Sequence, residues 1–122
     1  MILENRFGII YNRTATYDLS SIRQLKSQNK VCLKKAKIDG VKIIKIIADI
    51  GKSGSTMKNP GLREVIKLIE NKKIQSLYVF SSDRLSRNTM NYHRIREIAN
   101  NHKVRIVYPK SDRTIDNLVN VF

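Results

Sequence analysis

Four short runs rich in β-branched and aromatic residues, each separated from the next by a longer stretch of helical spacing, constrain this chain more than any other feature. The runs are "RFGIIYNR" (6–13), "VKIIKIIAD" (41–49), "QSLYVFSS" (75–82) and "KVRIVYP" (103–109). Ile, Val, Tyr and Phe suit the pleated, half-buried surface of a sheet. Between the first two runs, Ile22, Leu25, Cys32, Leu33 and Ala36 recur at spacings compatible with one helical face. "NPGLREVIKLIENKK" predicts a second helix, with Asn59 as N-cap, Pro60 at the first helical position and Leu62, Val65, Ile66 and Ile69 as its apolar stripe. A third helix is predicted over 89–101, burying Ile95, Ile98 and Ala99. The order is βαβαβαβ. Strands joined through single helices form a largely parallel sheet, because each crossover needs a helix's length. The expected fold is therefore three-layer α/β/α, with four strands or five and helices on both faces. A further short helix is predicted from Thr114, with Ile115, Leu118, Val119 and Phe122 apolar; it is too short to stand alone in water.

At 122 residues the chain is expected to be one domain. Its balance of 41% apolar and 28% charged residues is that of a folded globular protein. The charge is unusual: 24 Lys and Arg against 10 Asp and Glu leave a formal +14. Such a surface attracts polyanions, with nucleic acid the expected partner and an anionic membrane surface the rival. No apolar run approaches the roughly 18 residues of a spanning helix, and "MILENRFG" lacks the features of a signal peptide, so a cytoplasmic protein without membrane association is expected. A single cysteine, Cys32, excludes an internal disulfide and falls within the apolar spacing of the first helix. His93 and His102 stand nine residues apart with no ligand cluster around them, so no metal site is expected.

In open parallel sheets, ligands gather beyond the carboxyl ends of the strands. Those ends carry Arg13 and "TAT", then "DIGKSG", then "SSDRLSR". Arg84 and Arg87 are three residues apart and share a face if that stretch is helical. Together with Arg13 they would make a pocket able to hold a phosphodiester and stabilise charge developing on it, with Asp83 orienting one guanidinium. The alternative is a solvated basic helix start. In "ADIGKSGSTMKNPGL", two glycines flank Lys52 and Ser53, offering an ammonium and a hydroxyl to a phosphate at the same edge. GxxxxGK[ST] is absent, so nucleotide hydrolysis has no support and neither a cofactor nor a small-molecule substrate is expected.

These residues resemble the catalytic domain of the serine recombinases: the resolvases, invertases and phage-type integrases. That family reads Y-x-R-V-S-T on the first strand, a glutamine on the first helix, D-x-G-x-S-G after the second strand, a proline or arginine-proline before G-L or A-L, and D-R-L-S-R after the third strand. Here the same order gives "YNRTAT", a glutamine, "DIGKSG", "NPGL" and "DRLSR" over about residues 8 to 109. The resemblance implies a resolvase-like fold and a reaction on DNA in which a serine attacks the scissile phosphate. Strands are then exchanged within a tetramer and resealed without ATP or metal. It implies that Arg13, Arg84 and Arg87 clamp the phosphate, that Asp83 orients the clamp, that Tyr11 supports the first strand's end and that Ser53 is a contact from the second loop, beside Lys52. The family glutamine falls on Gln28 when counted back from Ala36 and Gly40, and on Gln24 when counted forward from Tyr11; Gln28 is preferred.

Three positions depart from the pattern. Thr14 stands where valine is usual, and Asn59 where many members have arginine. Ala15 occupies the nucleophile's position, and a methyl group cannot attack phosphorus. Thr14 points across the strand, and recruiting Thr16 would need a one-residue shift that also displaces Tyr11 and Arg13. The leading reading is a recombinase catalytic domain, a dimer or tetramer when full-length, inactive as written through an engineered or natural loss at residue 15. The dimerisation helix and downstream DNA-binding region are expected to lie outside residues 1–122. A non-catalytic DNA-binding or oligomerising module of the same fold is the second reading, and an unrelated flavodoxin-like domain the third.

Overall fold

The structure is a computed structural model that describes residues 6–110. Its elements run β1 (Phe7–Thr14), α1 (Leu19–Ile38), β2 (Lys42–Ile50), α2 (Pro60–Glu70), β3 (Ser76–Tyr78), α3 (Ser82–Leu85), α4 (Thr89–Asn101) and β4 (Arg105–Val107). The strands pair in parallel in the order β2-β1-β3-β4, so β1 is interior to the sheet. The fourth predicted helix, from Thr114, lies outside the described residues.

Alternation along β1 divides the core. Ile9 and Tyr11 face a cluster built with Leu62, Val65 and Ile69 of α2 and Ile95 and Ala99 of α4. Ile10 faces the opposite side, where Cys32 and Ala36 of α1 meet Val41, Tyr78 and Val107. Apolar burial on both faces holds the three layers together.

Local chemistry sets the helix ends. The Asp18 carboxylate accepts from the Ser21 amide at 2.8 Å and caps α1. At the other end Gly40 takes φ 72°, and its neighbour Val41 donates back to the Ala36 carbonyl at 2.9 Å, which closes the helix. Leu33, expected on the buried face of α1, is instead 42% exposed. The face that packs carries Leu25, Gln28, Cys32 and Ala36, and Leu33 lies a further 100° round from Cys32.

Asn59 sits at the N-cap position of α2, but its side chain does not cap. Its amide donates to the Ser53 carbonyl at 2.7 Å, and the helix is capped from β2. The third strand is shorter than the predicted 75–82, because Ser82 already begins α3. β2 forms one edge of the described sheet, with Ile44 and Ile46 about half exposed on either side of Lys45, which pairs with Glu64.

Candidate active site

The carboxyl ends of β1 and β2 bring Tyr11, Arg13 and Asp49 onto the α2 side of the sheet. Tyr11 is fully buried and donates its hydroxyl to Asp49 Oδ2 at 2.6 Å. Burial raises the Tyr11 pKa, and the adjacent Asp49 carboxylate raises it further, so the phenol stays a donor. The same carboxylate accepts from the amides of Gly61 at 2.8 Å and Leu62 at 2.9 Å. One buried anion thus caps α2 and fixes the tyrosine at the end of β1. A β-carbon on Gly61 would stand 2.7 Å from Asp49 Oδ2, which is why the first turn of the helix carries glycine at that point.

Arg13 is 1% exposed. Its Nη1 donates to the Lys52 carbonyl at 2.9 Å and its Nη2 to the Asp83 carbonyl at 2.8 Å, while buried Nε has no partner among the described residues. The backbone of Gly54 covers the guanidinium, leaving no room for a side chain. Burial lowers the Arg13 pKa, with the Arg87 and Arg84 charges acting the same way against Tyr11 and Asp83. The cation is held by neutral carbonyls, and among the described residues no ion pair quenches it.

Arg84, half-buried on α3, crosses back to β1 and donates from Nη1 to the Arg13 carbonyl at 3.2 Å. Both candidate glutamines reach it. Gln24, exposed, accepts from Nη2 at 3.4 Å. Gln28, buried, accepts from Nε and Nη2 at 3.3 Å in the amide orientation that satisfies both its ends. Arg87 does not share a helical face with Arg84. α3 ends at Leu85 and Ser86 is extended (φ −164°, ψ 145°), which places Arg87 beyond the helix. Its amide donates to the Gly54 carbonyl at 2.8 Å and its side chain is exposed. Arg13 and Arg87 therefore meet through the two sides of Gly54. Asp83 bonds the Ser81 hydroxyl; burial opposes its ionisation, but that bond and the charges of Arg84 and Arg87 keep its carboxyl below the ordinary range. An open cleft of about 470 Å³ runs beside it, lined by Asp83, Ser86, Arg87, Thr89 and Tyr92.

Ala15 lies one residue past the end of β1 and is exposed. The threonines flanking it have other engagements. Thr14 Oγ1 donates to the Thr16 carbonyl at 2.9 Å and accepts from the Gly51 amide at 3.3 Å, and Thr16 Oγ1 lies 2.5 Å from Ser21 Oγ. Lys52 and Ser53 are exposed on the second loop. The Lys52 amide donates to the Thr14 carbonyl at 3.0 Å, and Ser53 Oγ accepts from the Ser55 amide at 3.1 Å. Asp49 and Gly54 are the residues that the motif reading left without a role; the sign available was the "D-x-G-x-S-G" spacing, which names them without saying what they touch. Among the described residues no group of three or more His, Cys, Asp or Glu could hold a metal ion, and no helix is long and apolar enough to cross a membrane.

Residues 8–119 match the family described as "Resolvase, N terminal domain". The fold is similar to the C-terminal catalytic domain of ISC1926 TnpA, an IS607-like serine recombinase (TM-score 0.77, 23% identity, covering 94% of this chain and 79% of that one). It is also similar to the N-terminal catalytic domain of TP901-1 integrase (TM-score 0.73, 24% identity, covering 85% and 77%). A serine recombinase from Sulfolobus solfataricus aligns at TM-score 0.70 and 26% identity, over 95% of this chain and 79% of that one. No curated protein matches the sequence.

Proposed function

The chain belongs to the resolvase N-terminal-domain family of serine recombinases, and on that premise we propose that it is a site-specific DNA recombinase catalytic domain that holds the DNA backbone but, with Ala15 at the nucleophile's position, does not cut it. The observation that carries this reading is the surroundings of Ala15. The residue is exposed directly beyond β1, two positions after Arg13, whose carbonyl the Arg84 guanidinium grips. A serine at that point would face a cationic surface suited to a phosphodiester. Its hydroxyl would attack phosphorus, the P–O bond to the deoxyribose oxygen would break, and that oxygen would leave carrying the proton that the serine gives up.

In this reading Arg84 and Arg87 contact the phosphate, and Arg13 supplies fixed positive charge from beneath. Asp83 orients the arginine cluster, Gln28 and Gln24 brace Arg84, and Lys52 and Ser53 approach from the second loop. Tyr11 keeps the end of β1 in place. No metal or nucleotide takes part, and DNA is the partner. The protein works as a dimer or tetramer in the cytoplasm on mobile DNA. The second reading, a DNA-binding or oligomerising module that has given up catalysis, draws on the same alanine.

Ala15→Ser separates the two. Full-length protein carrying the change, incubated with plasmid bearing its own element's ends, should give a detergent-stable, protease-sensitive DNA adduct mapped by mass spectrometry to residue 15. The parent protein should bind the same DNA without forming one. Ala15→Ser protein that binds but never forms an adduct overturns the enzyme reading in favour of the module.

A further inference from the structure

The face of α1 opposite the sheet carries Arg23, Lys26, Lys30, Lys34 and Lys37, all exposed. At 100° per residue these five fall within an arc of about 80° and extend over about 21 Å of helix. Leu19–Ile38 contains no Asp or Glu, and among the described residues none of the five makes an ion pair. Neighbours at three and four positions, such as Lys26 with Lys30 and Lys30 with Lys34, repel one another and weaken the helix. Surface helices usually intersperse acids that relieve this repulsion.

We infer that this stripe is a docking track for the phosphate backbone of duplex DNA, separate from the arginine cluster and continuous with it. The two meet at Gln24, which adjoins Arg23 and accepts from Arg84 at 3.4 Å. A duplex laid along about 21 Å presents roughly twelve phosphates, enough for every cation on the stripe. An anionic membrane fits less well. A membrane-surface helix needs an apolar face free to insert, whereas Leu25, Cys32 and Ala36 are buried in the fold and the exposed Val31, Leu33 and Ile38 lie on both flanks of the stripe.

The inference rests on the DNA reading above, and one titration separates their fates. Binding of the chain to a random-sequence duplex is followed by fluorescence anisotropy across a salt series. Lys30→Gln with Lys34→Gln should reduce the slope of log affinity against log salt by about 2, since each cation that neutralises a phosphate contributes about 0.9. Lys67→Gln with Lys73→Gln, on the far side, should leave the slope unchanged. Gln is a good helix former, so the fold should survive, and Lys30→Arg with Lys34→Arg should keep the parental slope. A parent that binds while the stripe pair binds with the same slope overturns the track and leaves the site reading standing. Equal losses from both pairs mean diffuse charge and also overturn it. Loss confined to phosphatidylserine-containing vesicles would assign the stripe to a membrane instead, and a parent with no affinity for duplex would end both readings.

Discussion

Gly54 lies over the guanidinium of Arg13 so closely that a β-carbon there would stand 2.6 Å from Nη2 and 2.8 Å from Cζ. The arginine cannot yield easily, because two backbone carbonyls hold it in a site that is 1% exposed. Gly54→Ala should therefore lift the second loop or expel the guanidinium, at a cost of about 1–3 kcal/mol in urea unfolding. Combined with Ala15→Ser, it should lower adduct yield by roughly 10-fold or more through misplaced charge. An unchanged unfolding midpoint and undiminished yield would show that Arg13 is not pinned.

Asp49 serves Tyr11 and two α2 amides at once. Asn at this position turns one acceptor oxygen into a donor that faces groups already donating. Asp49→Asn should lose about 2–3 kcal/mol, the scale of buried hydrogen bonds to a charged group. Tyr11→Phe leaves both helix amides satisfied and should lose about 1–2 kcal/mol. Urea denaturation of the two variants checks the ranking, and a larger loss from Tyr11→Phe would contradict it.

The two glutamines that hold Arg84 differ in burial. Gln28→Ala removes a buried partner and leaves a void, so about 1–2 kcal/mol of stability should go. Gln24→Ala acts at an exposed position and should stay within about 0.5 kcal/mol of the parent. Chemical denaturation of both variants tests the contrast. Equal losses would mean that Gln24 braces Arg84 as firmly as Gln28.

Burial pushes the Cys32 thiol from its ordinary 9.0 up to about 11, with only a weak opposing contact from Asn12. A folded pKa above the unfolded one makes a contribution that is complete below about pH 9 and is lost as pH rises toward 11. The chain should thus lose up to about 2 kcal/mol across that window beyond the other alkaline losses. Cys32→Ala lacks this group, so the parent's stability relative to that variant should hold below pH 9 and shrink above it. Unfolding of both proteins under reducing conditions provides the measurement, and a constant difference would refute it.

The sequence carried the fold because its periods are local. Ile9, Ile10 and Tyr11 alternate across one strand, and Leu62, Val65 and Ile69 repeat along one helix, with no need to know what either meets. The site was legible as a set of residue types at sheet ends, and its internal contacts were not. That Arg13 is buried depends on Gly54, 41 positions later in the chain. That Asn59 leaves α2 uncapped depends on Asp49 reaching across from β2. Whether Arg84 and Arg87 share a face hung on the stretch being helical, and Ser86 turns the chain out before Arg87. Each miss is a long-range or single-residue backbone event, which periodicity does not encode.

β2 presents the outer edge of the described sheet with "KIIKIIADI" along it. Without its two lysines this would be a long apolar strand with unpaired backbone groups, the kind of template on which chains stack into insoluble aggregates. Lys42 and Lys45 interrupt it, and the pairing of Lys45 with Glu64 holds one of those charges at the edge. Part of the chain's positive charge therefore guards against stacking, and neutralising those lysines would lower the yield of recoverable protein.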